Sequence, residues 1–190
     1  MSREITLVRH APTAHNSSAH YMGQLDPPVD SDGMEAALMA GKKDWALFTG
    51  LVLCSPLRRA TASAAALFPA GQVQIDSRLQ ERGLGCWQGM SHAEAQAGWP
   101  EAFPTGSAID PLFTPPDGEK FDDFVGRVAD FLDDASRWGD VPLAVTHNGW
   151  IRTAMYLTGA ISLQDIFREP VPHLQLVRLD LVGLTTTAPA

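Results

Sequence analysis

The segment Ile5-Thr6-Leu7-Val8-Arg9-His10 joins a short, mostly apolar run to two basic side chains. Two later segments follow the same plan: residues 51–54 (LVLC) lead into Ser55, and residues 143–145 (LAV) lead into Thr146-His147. Short apolar runs of this kind are typical of strands that are buried on both faces. The sequence therefore predicts at least three buried strands, each followed by polar residues.

Helical patterns separate these strands. Apolar residues spaced three or four positions apart predict one helix over residues 34–48 and a stronger one over residues 121–138. Further strands are expected at residues 73–75 and 174–181. Because strands alternate with helices, the predicted fold is a three-layer α/β/α sandwich with a mostly parallel central sheet.

The composition fits a single domain of 190 residues, of which 45% are hydrophobic and 19% are charged. Within it, the proline-rich residues 99–118 are expected to form a long substrate-covering loop, and residues 185–190 a frayed tail. The formal charge of −8 predicts a surface that repels nucleic acid and anionic lipid, so neither is an expected partner.

The cysteine and hydropathy patterns bear on cofactors and location. Cys54 and Cys86 lie far apart and lack the companion ligands of a zinc site, which argues against a disulfide framework or a bound metal. No apolar window approaches the ~18 residues of a membrane span. We therefore expect a cytoplasmic protein without a metal ion or cofactor, and leave open whether it forms a homo-oligomer.

Basic side chains are predicted to meet at one edge of the sheet. In open parallel sheets, ligands bind beyond the carboxyl ends of the strands. This places Arg9, His10 and His147 together with one of the adjacent pair Arg58 and Arg59. Such a cluster in a protein of net negative charge predicts a bound anion.

Helix ends are expected to contribute to the same site. Ser55 is predicted to cap an Ala-rich helix that begins at Pro56 and stops before Pro69, and another helix is predicted after Asn148. Helix N-termini supply backbone donors to anions, and guanidinium groups bind phosphate oxygens in pairs. A phosphoryl group is therefore the predicted occupant.

Two residues carry the predicted chemistry. A neutral imidazole is a competent nucleophile at phosphorus, and His10 is the candidate. Glu81 is the candidate acid, which would protonate the leaving alcohol and then activate water. An ordinary ion pair with Arg82 is the alternative for Glu81.

Five ordered motifs resemble those of the histidine phosphatase superfamily, the group that includes cofactor-dependent phosphoglycerate mutase. In this sequence they are residues 9–16 (RHAPTAHN), 23–33 (GQLDPPVDSDG), 55–64 (SPLRRATASA), 79–89 (LQERGLGCWQG) and 146–152 (THNGWIR). The resemblance covers most of residues 5–152. It implies a phosphoglycerate mutase-like fold and a metal-independent reaction through a phosphohistidine.

The resemblance also implies roles for single residues. It places the phosphohistidine at His10, the acid at Glu81, and phosphate contacts at Arg9, Asn16, Arg59 and His147. Asn16 could instead cap a turn. Candidate pocket neighbours are Gly23, Trp87 and Asn148.

The sequence departs from the family pattern at two glycine positions, which are occupied here by Ala11 and Asn148. Both are compatible with the family site only if the local backbone accepts a side chain. Three other histidines, His15, His20 and His173, are expected to be solvated, with His20 close to the pocket.

Charge distribution favours a phosphatase over a mutase. The family's mutases hold a second anion with a tyrosine and a lysine, whose positions are Leu84 and His92 here. No lysine or arginine occurs between Arg82 and Lys120. We therefore expect hydrolysis of a small-molecule phosphate monoester with an apolar, aromatic or neutral alcohol. The alternatives are a phosphoglycerate-type phosphomutase and an inactive phosphate-binding or regulatory protein.

Overall fold

A computed structural model describes residues 4–40, 45, 47–104, 106, 108–138, 143–168, 170–182 and 184. Its strands are β1 (Glu4–Arg9), β2 (Leu51–Cys54), β3 (Gln72–Ile75), β4 (Leu143–Thr146) and β5 (Leu176–Asp180). They form a five-stranded sheet in the order β3-β2-β4-β1-β5. All neighbours are parallel except β5, which runs antiparallel to β1.

The α-helices are α1 (Ala14–Ser17), α2 (Ser31–Ala40), α3 (Arg58–Leu67), α4 (His92–Gly98), α5 (Phe121–Arg137) and α6 (Asn148–Leu157). Helices α5 and α6 contact each other, and α2 contacts α3. Short 3-10 turns occur at Ser77–Leu79, Gly85–Trp87, Pro100–Ala102 and Leu163–Asp165. No helix in the described part of the chain has the length and apolar character needed to cross a bilayer.

The two faces of the sheet are buried in separate hydrophobic clusters. Leu7 of β1 belongs to one cluster with Phe124 of α5 and Trp150 of α6. Its neighbour Val8 points to the other face and belongs to a cluster with Ala64 of α3. Because successive strand residues face opposite sides, this alternation requires cover on both faces. The predicted three-layer α/β/α sandwich is confirmed.

Several predicted boundaries need correction. The helix predicted over 34–48 is observed as α2, Ser31–Ala40, and residues 41–44 lie outside the described part of the chain. Helix α3 begins at Arg58, two residues after the predicted start at Pro56. The Ser55 hydroxyl accepts a 3.3 Å hydrogen bond from the Leu57 N–H just before this helix, and it also lies 2.8 Å from Nε2 of His147.

The segment predicted to be a long loop, residues 99–118, is largely irregular and contains a short 3-10 turn. The described residues between 99 and 118 contain the 3-10 turn Pro100–Ala102 and no α-helix or strand. The predicted frayed tail, residues 185–190, lies outside the described residues.

A buried serine joins helix α3 to the end of β1. The hydroxyl of Ser63 accepts a hydrogen bond from the Ala11 backbone N–H at 2.7 Å and donates one to the Arg59 carbonyl at 2.6 Å. Both partners are neighbours of predicted site residues. The bond therefore fixes the backbone beside His10 to the helix that carries Arg59.

Replacing this hydroxyl tests the connection. In Ser63→Ala, the buried Ala11 N–H loses its acceptor, and we expect a loss of ~2 kcal/mol in the free energy of unfolding, measured by urea denaturation. Ser136→Ala is the matched control, because Ser136 bonds only within its own helix and is expected to cost less than ~0.5 kcal/mol. An equal cost for the two variants would contradict this role of Ser63.

Candidate active site

A cavity of about 600 Å³ lies at the carboxyl edge of the parallel strands. Its wall includes the predicted site residues Arg9, His10, Asn16, Gly23, Arg59, Glu81 and Asn148. His147 is fully buried directly behind the wall, with its ring centroid 5.1 Å from that of His10. The structure therefore brings together residues from β1, α3 and the end of β4.

His10 is fixed in one tautomer. It is 2% exposed, and its Nδ1 lies 2.6 Å from the carbonyl oxygen of Ala11. Because a carbonyl oxygen only accepts hydrogen bonds, Nδ1 carries the proton and Nε2 holds a free lone pair. Burial and the nearby Arg59 charge keep the pKa of His10 well below its usual value, so the imidazole is neutral at pH 7. These are the properties of a nucleophile.

Arg9 and Arg59 are held by backbone carbonyls. Arg9 donates to the Val171 carbonyl, and Arg59 donates through Nη2 to the Gly23 carbonyl at 2.7 Å. Burial lowers the pKa of Arg9 to about 10, which still leaves it charged at pH 7. The Nε atoms of both arginines are buried without a hydrogen-bond partner. Two buried cations with unused donors form a site for an anion.

His147 also has an unused polar atom. Its Nε2 is 2.8 Å from the Ser55 hydroxyl, and its Nδ1 is buried without a partner. Burial and Arg59 hold its pKa well below the usual value. His147 is not on the cavity wall, so its direct contact with phosphate stays a prediction.

Glu81 is held by two backbone N–H groups. One carboxylate oxygen accepts from Gly149 at 2.9 Å and the other from Arg82 at 3.0 Å. The guanidinium of Arg82 points elsewhere and donates to the carbonyls of Pro111 and Phe113. The expected alternative, an ion pair between Glu81 and the Arg82 side chain, is not what the structure shows.

Asn16 lines the cavity and also caps a turn. Its Oδ1 accepts from both the backbone N–H and the hydroxyl of Thr13, each at 3.0 Å. The amide nitrogen therefore remains as the group that can donate to a phosphate. The two interpretations of Asn16 are compatible.

The two departures from the family glycines fit the backbone. Neither Ala11 nor Asn148 has a positive φ, so neither needs the freedom of glycine. Asn148 begins α6, and its Oδ1 accepts from the Val171 N–H at 2.8 Å. Its side chain therefore joins the segment before β5 to the start of α6 at the cavity wall.

Trp87 lies behind the cavity wall rather than on it. It is buried and stacks against Phe113, which does line the cavity, with ring centroids 5.4 Å apart. The ring centroids of Tyr21 and His92 are 4.3 Å apart, and both residues line the cavity together with Ile109. This wall is mostly aromatic and apolar.

The segment 166–173 supplies cavity residues that the sequence analysis missed. His173, which was expected to be solvated, is partly buried on the cavity wall, and its Nδ1 lies 2.8 Å from the His10 carbonyl oxygen. Arg168 lines the same wall and pairs with Asp165 at 3.3 Å. The missed signal was strand direction: because β5 is antiparallel to β1, residues just before β5 lie beside the end of β1.

Comparisons with known proteins agree with this geometry. The sequence model of the histidine phosphatase superfamily (branch 1) matches residues 5–187. Glucosyl-3-phosphoglycerate phosphatase of Mycolicibacterium vanbaalenii is 33% identical over 179 residues, covering 89% of this chain and 78% of that protein. The metal-independent phosphoserine phosphatase of Arabidopsis thaliana is 30% identical over 165 residues, covering 81% of this chain and 67% of that protein.

A solved structure extends the likeness to three dimensions. It is the mycobacterial glucosyl-3-phosphoglycerate phosphatase in complex with VO3, at a TM-score of 0.75 and 25% identity. The match covers 93% of this chain and 92% of that one.

The contact between Gly149 and Glu81 yields a test of the site. A Cβ at residue 149 would lie 2.6 Å from a Glu81 carboxylate oxygen, so Gly149→Ala must displace the acid. We expect kcat on an alkyl phosphate to fall roughly 10- to 100-fold, since small misplacements of reacting groups are costly.

The matched control is Gly126→Ala in α5, where a Cβ would meet no atom within 4 Å. It should leave kcat unchanged, because it lies away from the cavity and alanine is the better helix former. A Gly149→Ala variant with wild-type kcat would show that the position of Glu81 is not critical.

Proposed function

Because the chain belongs to the histidine phosphatase superfamily and is a hydrolase of small-molecule phosphate monoesters, we propose that it works through a phosphohistidine on His10. The observation that carries this proposal is the fixed tautomer of His10, which leaves Nε2 unprotonated in a cavity that is also lined by two buried arginines. The neighbouring carboxylate of Glu81 supplies the proton-transfer group.

The first step transfers the phosphoryl group to His10. Unused donors on Arg9 and Arg59 hold the phosphate oxygens and offset the charge that develops on them. The Nε2 lone pair forms the N–P bond while the ester P–O bond breaks and its electron pair leaves with the alcohol oxygen. Glu81, in its protonated form, gives that oxygen a proton.

The second step regenerates the imidazole. Glu81, now a carboxylate, accepts a proton from water as the water oxygen attacks phosphorus. The N–P bond breaks, its electron pair returns to Nε2, and inorganic phosphate leaves. The backbone bonds from Gly149 and Arg82 keep the carboxylate in place for both steps.

The alcohol portion of the substrate is bounded by two different walls. One wall carries Tyr21, His92 and Phe113, which suits an apolar, aromatic or neutral alcohol as the sequence predicted. The expectation that a second anion is repelled rested on residues 83–119, whereas Arg168, outside that range, also lines the cavity. We propose that the cavity accepts neutral and carboxylate-bearing alcohols, which agrees with the substrates in the names of the relatives.

Further parts of the proposal concern the cofactor and location. The names of the relatives favour hydrolysis over the mutase and the inactive binding protein. Among the residues described, no group of three or more metal-binding side chains occurs, and Cys54 and Cys86 are free thiols. We propose a metal-independent reaction in the cytoplasm, acting on a small-molecule ester without a nucleic-acid or membrane partner.

Trapping the intermediate tests the proposed reaction. Rapid quenching during turnover of a 32P-labelled monoester should give an acid-labile, base-stable label on His10, found by peptide mapping. Excess EDTA should not reduce turnover. His10→Asn should lose the label and at least ~1,000-fold in kcat, whereas His15→Asn, outside the cavity lining, should keep both. Full turnover with no label on His10 would refute the phosphohistidine.

The role of Glu81 predicts a dependence on the leaving group. Glu81→Gln cannot donate the proton, so kcat/KM on an alkyl phosphate, which reports the steps up to release of the alcohol, should fall roughly 100- to 10,000-fold. On p-nitrophenyl phosphate, whose leaving group needs no proton, the loss should be at least tenfold smaller. Glu35→Gln, at an exposed position in α2 outside the cavity lining, is the control. Equal losses on both substrates would remove Glu81 from the proton-transfer role.

A further inference from the structure

His173 is a third imidazole at the reaction centre. It lies two residues after Val171, which bonds Arg9 and Asn148, and its ring centroid is 5.2 Å from that of His10. The ring is partly buried and lines the cavity. It therefore lies beside the proposed nucleophile, within the cavity that a substrate would enter.

The tautomer of His173 is fixed by its partner. The His10 carbonyl oxygen, 2.8 Å from Nδ1 of His173, only accepts hydrogen bonds, so Nδ1 carries a proton. Burial and the charge of Arg9 lower the pKa of His173 to about 4, which keeps the ring neutral at pH 7. Nε2 is then an unprotonated acceptor, and the one hydrogen bond of this ring found within the described ranges is the Nδ1 bond.

The backbone holds this ring in place. Leu174 has a φ of +62°, a conformation that is costly for a leucine, and its N–H donates to the Arg9 carbonyl at 3.0 Å. Strained backbone of this kind persists where surrounding bonds enforce it, and it clusters at ligand sites. The orientation of His173 is thus set before substrate binds.

Nε2 of His173 is a hydrogen-bond acceptor, unlike the groups that are assigned to the phosphate. The groups assigned to the phosphate, Arg9, Arg59 and the Asn16 amide, are donors, and phosphate oxygens are acceptors. The Nε2 lone pair of His173 would be repelled by a phosphate oxygen and attracted by an N–H or O–H group. Among the groups of a phosphate monoester, a hydroxyl on the alcohol portion is the one that can donate to it.

We propose that His173 is a further substrate-binding residue, whose Nε2 accepts a hydrogen bond from a hydroxyl on the carbon next to the ester carbon. The inference rests on the proposed function and deepens it: the preferred substrates are monoesters of polyols rather than of simple alcohols. A second role follows from the Nδ1 bond, which positions the backbone of the nucleophile.

Two substrates separate these roles. Glycerol 2-phosphate carries the required hydroxyls, and isopropyl phosphate has the same carbon skeleton without them. The wild-type enzyme should favour glycerol 2-phosphate in kcat/KM. The intrinsic difference between the two leaving groups cancels when a variant is compared with the wild type on each substrate.

Two substitutions of His173 separate the role of Nε2 from the role of Nδ1. The amide of His173→Asn can still donate to the His10 carbonyl but has no atom at the Nε2 position. Its kcat/KM should fall about tenfold on glycerol 2-phosphate and less than twofold on isopropyl phosphate. Its inhibition by vanadate should match the wild type within twofold, because the phosphate site is intact. His173→Ala, which loses both nitrogens, should be impaired on both substrates.

His15→Asn is the matched control and should behave as wild type on both substrates. Equal losses in His173→Asn on the two substrates, or weaker vanadate inhibition, would show a purely structural role and overturn the inference. Wild-type kcat/KM on both substrates would overturn it as well. Failure of the phosphohistidine mechanism itself would appear separately, as turnover without a label on His10.

Discussion

The burial of two guanidinium groups at one sheet edge is the constraint on which the site depends. Arg9 and Arg59 are largely removed from water, and the charge of each lowers the cost of binding an anion and raises the cost of an empty site. Glu81 offsets part of this charge, while the Nε atoms stay unpaired. An anion with several acceptor oxygens is the ligand that satisfies such a site.

These groups come together because β1 and β4 are parallel neighbours, so their carboxyl ends lie at the same edge of the sheet. Strands β1 and β4 are parallel neighbours in register Arg9–Thr146, so His10 and His147 leave the sheet side by side. Helix α3 adds Arg59, and the first turn of α6 adds the Gly149 N–H that holds Glu81. The placements of His10, His147 and Arg59 follow from strand order, whereas Glu81 lies in the connection between two 3-10 turns and is held there by backbone bonds from Arg82 and Gly149. The proposed nucleophile and cations therefore lie on regular elements or directly beside them.

The sequence predicts this arrangement where periodicity and strand ends determine it. The parallel strands and the convergence of Arg9 and His10 with one of Arg58 and Arg59 follow from short buried runs and the residues after them, and the family resemblance selects Arg59. The sequence fails where a contact depends on tertiary structure. Ser55 makes the predicted local bond to the Leu57 N–H, but local pattern does not predict its contact with His147 or the start of α3 at Arg58. His173 is missed because a hydrophobic pattern predicts a strand without its direction, and only the antiparallel pairing of β5 brings it to the cavity.

A crystal structure of the protein with orthovanadate tests the central claim most directly, because vanadate imitates the five-coordinate phosphorus of the reaction. The account predicts vanadium within bonding distance of Nε2 of His10, with its oxygens hydrogen-bonded to Arg9, Arg59 and His147. Vanadate bound through other residues, or a His10 ring turned so that Nε2 faces the interior, would contradict it.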